Sequence, residues 1–278
     1  MAVEAAMIQY KRDFVPAFEQ RSSHLRAMAT KETVMSGNQA TFLVSGSGGD
    51  TAVTRGTNGM IPYNNPTNTQ YTATLVEKHA PYRLTGFNVF ASQGDQIKVM
   101  RDASIAVINR DIDLTLLAEL ANATQDYGSG TADLDMVLGS QAILGNNDVP
   151  VEEEDNMFAI ISPAFRGYLM QTTEFSNGEY VESKPFNGPA KTFWRWNGVN
   201  WRVSSRVTGL GTSSEICYMF HRSAIGYAVN VGEDRIYTGF NEEQGFSWSR
   251  AEVFHGAKIL QNSGIVKITH DGSAWQAS

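Results

Sequence analysis

An α+β fold made of an N-terminal arm, a long extended hairpin loop, one long helix and a mixed α/β unit is predicted by three features of this 278-residue chain. Apolar spacing alternates in twos before about residue 83, changes to intervals of three and four over residues 93–123, and afterwards returns to short strand-like runs. Turn-forming residues gather where the spacing changes, at Ser45-Gly46-Ser47-Gly48-Gly49-Asp50, Asn58-Gly59, Asn64-Asn65-Pro66 and Tyr127-Gly128-Ser129-Gly130. The first 39 residues hold only short apolar patches, around Phe14 to Phe18 and Leu25 to Met28, divided by charge; such a segment reads as an arm that needs a surface.

The length can bury a full core as one domain or as two interwoven ones. Apolar residues make up 42% and charged residues 18%, fewer charges than a free-standing soluble protein usually shows, so part of the surface is expected to be covered by partners. Lys plus Arg total 22 against 29 for Asp plus Glu, a formal charge of −7. That sign argues against a protein whose main task is gripping phosphates, so any nucleic-acid contact should be local and weak. The single cysteine, Cys217, sits in the apolar run 216–220 and reads as a buried hydrophobe, so no disulfide forms within one chain. No stretch approaches the roughly 18 apolar residues of a membrane helix, and Glu4, Lys11, Arg12 and Asp13 break any signal pattern; synthesis in a cytoplasm is expected.

The elements follow in order. Residues 40–83 predict two strands, about 40–44 and 71–76, joined by a long glycine-bearing loop. A lone two-stranded ribbon is marginal, so this one must lie against its own chain or a neighbour. Over 93–123, Ile97, Met100, Ser104, Val107, Ile108, Leu114, Leu117 and Leu120 predict one amphipathic helix, about 46 Å long and capped by Ser92. Residues 133–144 predict a shorter helix stopped by Gly145-Asn146-Asn147 and Pro150, near where a second domain opens. Residues 157–161 read as a buried strand leading to Ser162-Pro163, the cap and first turn of a helix. Asn197-Gly198 between aromatic alternations predicts a two-residue hairpin turn with Trp194 opposite Trp201. A strand over 216–220, a short helix over 223–229, and paired strands over 246–254 and 259–268 complete the reading.

No catalytic or cofactor-binding site is expected. His24, His79, His221, His255 and His270 lie far apart with no metal-ligand spacing. The glycine-rich 46–59 lacks the Gly-Lys-Ser/Thr ending of a phosphate loop, and no nucleophile elbow is present. Glu152-Glu153-Glu154-Asp155 lacks the spaced ligands of a calcium loop and reads as a solvated turn. Trp194, Trp196 and Trp201, interleaved with Arg195 and Arg202, could stack on sugars or bases; alternation instead sends the tryptophans to one face, as a packed core requires.

The order of parts resembles the major capsid proteins of tailed bacteriophages with the Hong Kong 97-type capsid fold. Local wording carries the likeness: Thr54-Arg55-Gly56-Thr57-Asn58-Gly59-Met60-Ile61-Pro62, Asn147-Asp148-Val149-Pro150 ahead of Phe158-Ala159-Ile160-Ile161-Ser162-Pro163, and Phe220-His221-Arg222-Ser223-Ala224-Ile225-Gly226. The resemblance implies an arm over 1–39, an extended loop (E-loop) over 40–83, a peripheral P-domain with a spine helix over 84–128 and 241–278, and an axial A-domain over 129–240. It implies an icosahedral shell around double-stranded DNA, built from pentamers and hexamers of this chain. Phe14, Phe18, Phe42, Arg55, Met60, Ile61 and Tyr71 are then the expected inter-subunit contacts. A separate scaffolding protein, a portal and a cement or decoration protein would be partners, and the protein would reside in the virion after assembly in the bacterial host cytoplasm. Between Gly37 and Val76 there is no lysine, and Asp50 and Arg55 are the only charged side chains, so the lysine-to-asparagine cross-link of some relatives is not expected. An encapsulin-type bacterial compartment fits the same fold reading, and a carbohydrate-binding adhesin using Trp194, Trp196 and Trp201 is the alternative of a different class.

Overall fold

The computed structural model describes residues 17–91, 95–172, 194–232 and 235–275. In chain order the elements are β1 (Thr30–Val34), β2 (Gln39–Gly46), β3 (Thr67–Thr74), β4 (Val76–Thr85), α1 (Gly86–Ala91), α2 (Gln96–Leu120), β5 (Asp126–Gly130), α3 (Leu134–Asn146), β6 (Met157–Ile161), α4 (Pro163–Leu169), β7 (Trp194–Trp196), β8 (Val199–Val203), β9 (Glu215–His221), β10 (Ile225–Asn230), β11 (Arg235–Asn241), β12 (Phe246–Ile259) and β13 (Ile265–His270).

The long helix forms where the spacing predicts it, but over 25 residues, about 37 Å. Ser92 lies outside the described residues; the observed cap is Asp95, whose carboxylate accepts from the Lys98 N–H at 3.0 Å. Ala80, Ala251 and Val253 of the five-stranded sheet (β1, β4, β10, β11, β12) meet Ile108, Ile112, Leu116 and Leu117 of α2 in one core. That core also takes Phe158, Ile160, Tyr218, Phe220 and Ile265 from one face of the second sheet, ordered β5-β13-β9-β6-β8-β7. The other face of the second sheet, through Ala159, Ile161, Cys217, Met219, Val266 and Ile268, packs with Met136, Val137 and Leu144 of α3 and Phe165 and Leu169 of α4. Strands buried on both faces explain why 157–161 and 216–220 are apolar throughout rather than alternating.

Several expectations change. Residues 225–230 form β10, not a helix; only the 3-10 turn Arg222–Ala224 precedes it. Tyr227 and Val229 point to the α2 core while Ala228 points to the hairpin core, a period of two that only a strand satisfies. The strands expected over 246–254 and 259–268 do not pair with each other. β12 runs unbroken to Ile259 between β4 on one side and β10 and β11 on the other, whereas β13 joins β5 and β9. Tyr127 to Gly130 belong to the edge strand β5 rather than a bare helix stop. A division at 240/241 cuts β11 before its last residue, parts it from its paired neighbour β12, and leaves β13 away from its own sheet.

The chain crosses between sheets twice in this region, through Arg222–Ala224 and through Asn262–Gly264, and the crossings touch. The Ala224 carbonyl accepts from the N–H groups of Leu260 and Gln261 at 2.8 and 3.2 Å. A side chain at Gly264 would place its Cβ 2.8 Å from that of Ala224, so glycine is what allows the approach.

The tryptophan hairpin is as expected in register: Trp194 pairs with Trp201, and Asn197 and Gly198 both hold positive φ, as a tight primed turn requires. Trp196 and Trp201 are buried in the α3/α4 core, with the Trp201 indole N–H donating to the Trp196 carbonyl at 2.9 Å. Arg195 faces out to Glu154 and Asp155. Arg202, in contrast, is buried rather than solvent-facing. Trp201→Ala should leave a large cavity and remove the indole donor, lowering unfolding free energy by about 3–5 kcal/mol in denaturant titration; a loss under ~1 kcal/mol would mean that this core is not close-packed.

Candidate inter-subunit surfaces

From Glu19 onward the arm is docked on its own chain. Asp113, in the middle of α2 and fully buried, accepts from the Ser23 hydroxyl at 2.6 Å, the Leu25 N–H at 3.1 Å, the His24 N–H at 2.9 Å and the Gln20 side-chain amide. One turn earlier Asn109 donates to the Arg21 carbonyl at 2.8 Å and accepts from Arg26 at 3.1 Å, and Arg110 pairs with Glu19 at 3.0 Å. Past this anchor Leu25, Met28 and Ala29 enter the core, and β1 pairs in parallel with β10. Arg202 reaches the arm from β8 by contacting the His24 ring. Burial first, then the nearby Arg202 charge, hold the His24 pKa below its usual value despite Asp113, so neutral His24 accepts from that guanidinium.

The hairpin β2–β3 divides into a seated base and a projecting end. At the base Ala40, Phe42 and Ala73 pack on Ala228 and Leu260, with Tyr71 half-buried beside them. From Ser45 to Gln70 every residue is exposed, including Val53, Met60, Ile61 and Tyr63. The tip is nonetheless ordered by local bonds: Gly56 N–H to the Met60 carbonyl at 2.8 Å, Met60 N–H to Asn58 Oδ1 at 3.1 Å, and the Arg55 guanidinium to the Gly59 carbonyl at 2.6 Å.

Of the expected contact residues, Arg55, Met60 and Ile61 share this exposed tip, and Phe18 is exposed at the start of the described arm. Phe14 lies outside the described residues. Phe42 is taken up inside its own chain, its ring against Gly226, and is not free to serve a neighbour. Sequence reasoning missed an apolar groove of about 450 Å³ on the face of the five-stranded sheet away from α2, lined by Pro81, Arg83, Phe246, Trp248 and Arg250 among others. Arg83 lies 5.8 Å over the Phe246 ring and Arg250 5.5 Å over Tyr237. Alternation along β12 was the available signal, since its even residues point to this uncovered face.

At the hairpin stem, fully buried His255 donates to Asp111 at 3.0 Å, and Lys78 of β4 approaches the same carboxylate at 3.5 Å. The His255 hydrogen bond, followed by the Lys78 charge against an opposing burial cost, holds the Asp111 pKa below its ordinary 3.8. Burial pushes the Cys217 thiol up to about 12, far from a reactive thiolate. Among the described residues no cluster of three or more His, Cys, Asp or Glu is placed to hold a metal ion, and no helix is long and apolar enough to cross a membrane.

Residues 2–272 match the family of phage capsid proteins, so the chain belongs to that family. No curated protein sequence matches it. The fold is similar to the capsid of Ralstonia phage GP4, at 11% identity and a TM-score of 0.74, covering 99% of this chain and 98% of that one. It is likewise similar to a chain of Mycobacterium phage Che8 (12%, TM-score 0.71, 96% and 98% covered) and to the head structure of Helicobacter pylori bacteriophage KHP40 (11%, TM-score 0.69, 96% and 95% covered). This chain is therefore a shell protein of a phage head, a structural component of the virion; neither the adhesin nor the compartment reading is favoured.

A carboxylate whose folded pKa is lowered adds stability above its unfolded value, and that stability is lost as pH falls through the folded one. Asp111 should thus make the parent's melting temperature fall below about pH 4, and Asp111→Asn should flatten that acid limb while lowering stability at pH 7. Parallel melting-against-pH curves for the two proteins would contradict the assignment.

Proposed function

We propose that this chain is the major capsid protein of a tailed phage, closing into an icosahedral shell of pentamers and hexamers around double-stranded DNA. The observation that carries this reading is the hairpin: a seated base, then a fully exposed, ordered ribbon whose apolar side chains have no place in their own core. In this reading β2–β3 is the E-loop, α2 the spine helix, the five-stranded sheet the P-domain and the six-stranded sheet with α3 and α4 the axial A-domain. Arg55, Met60 and Ile61 contact neighbouring copies, as does Phe18. Main-chain pairing and modest apolar contacts, each weak, sum through the symmetry of a closed shell. With no lysine between Gly37 and Val76, these contacts stay non-covalent. Scaffolding, portal and cement proteins are its expected partners during assembly in the host cytoplasm, and its contact with the genome is weak and non-specific.

Deleting residues 45–65 tests the reading. The deletion leaves the seated base intact, so the purified variant should melt within a few degrees of the parent yet yield no closed particles by negative-stain microscopy. Parent shells should run as single chains in hot denaturing detergent. Robust particles from the deletion variant, or a ladder of cross-linked bands, would contradict this role for the loop.

A further inference from the structure

We propose that the docked arm, residues 19–34, is a wedge that fixes the angle between the two sheets and hence the curvature of the shell, with Asp113 as its positioning residue. The inference rests on the shell reading above. The two chain crossings described between β9 and β10 and between β12 and β13 are single 3-10 turns lying against each other, a geometry that acts as a pivot more than a strut. The angle across that pivot must be held by what fills the space beside it, and the arm is placed there. Leu25, Met28 and Ala29 share one core with Leu116 and Leu120 of α2, Phe220 of β9 and Ile225 of β10.

The arm is tied to each neighbour separately. Asp113 and Asn109 bind it to α2; Arg202 of β8 contacts His24, which ties it to the six-stranded sheet. Arg222, at the crossing itself, donates to the Ala27 carbonyl at 3.3 Å and accepts at its own carbonyl from Thr30 at 3.0 Å. β1 then joins the five-stranded sheet in register from Thr30↔Gly226 to Val34↔Asn230. One short segment thus touches every body whose relative orientation a shell must reproduce in each copy.

The test compares the full-length parent with Asp113→Ala, and with the double variant Gln20→Ala/Ser23→Ala, which removes two donors and leaves the apolar wedge and the carboxylate in place. Trypsin cleavage after Arg21 and Arg26 reads arm release, near-ultraviolet circular dichroism reads the tryptophan core, and microscopy reads particle diameter. Asp113→Ala should keep the tryptophan signal, be cut in the arm about tenfold faster or more, and give particles of broadened or shifted diameter. The double variant should shift both readouts the same way and less. Fast arm cleavage with parent-like, uniform particles in either variant overturns the wedge; so does an arm that stays protected in Asp113→Ala. If Asp113→Ala does not fold, the double variant decides by the same two readouts. A parent that forms no particles, alone or co-expressed with its phage's scaffolding protein, overturns the shell reading, and this one with it.

Discussion

The carboxylate of Asp113 lies in the middle of the mostly apolar buried side of α2, one turn after Asn109 and with no exposure to water, and the arm is arranged around satisfying it. An ionised carboxylate stripped of water costs several kcal/mol unless donors replace its hydration. Here those donors come from residues 20–25, about ninety positions away in sequence: two backbone N–H groups, a hydroxyl and an amide. Hydrogen bonds to a charged group each contribute about 1.5–3 kcal/mol. Turned around, the same constraint disciplines the arm: it can satisfy Asp113 in one register, and that register carries Leu25 and Met28 into the core and starts β1 beside β10.

With the arm in place the molecule has a rigid centre and a free extremity. The six-stranded sheet is covered on both faces, α2 is pressed between the sheets, and the apolar side chains of β6, β9 and β13 are almost wholly withdrawn from water. The hairpin shares little of that burial. Ala40, Phe42 and Ala73 seat its base, and beyond Val44 it is held by its own ladder and by the Arg55 to Met60 turn. On the proposed role of the hairpin, its exposed end is distinct from the residues that bury the body, so a subunit can fold before it meets a neighbour.

How much of this could be read in the sequence depends on how local the cause was. Ser162-Pro163 as cap and first turn, Asn197-Gly198 as a primed turn and the continuous apolar run 157–161 are set by neighbours in sequence, and all were legible. Residues 225–230 misled because Ala228 and Val229 serve two different cores, which becomes visible only when β1 and β12 flank them. The pairing of 246–259 was misassigned because its partners are the preceding β10 and β11 and, some 170 residues earlier, β4, and not the strand that follows it. Of the candidate surface, the hairpin tip was evident from its glycine-bearing turns in a ribbon too slight to fold alone. Asp113 was not, since a lone acid on a helix reads as solvent-facing until its distant donors are in place; Phe42 was misjudged because Gly226, the residue that accommodates it, lies in another sheet.

The central claim is that the body is complete in one subunit while the ribbon is completed by others. Hydrogen exchange of backbone amides, compared between unassembled subunits and closed shells, tests it most directly. The account predicts slow exchange in β6, β9 and β13 in both states, and slow exchange over residues 47–66 in shells alone. Equal exchange of that segment in both states, whether fast or slow, would contradict it.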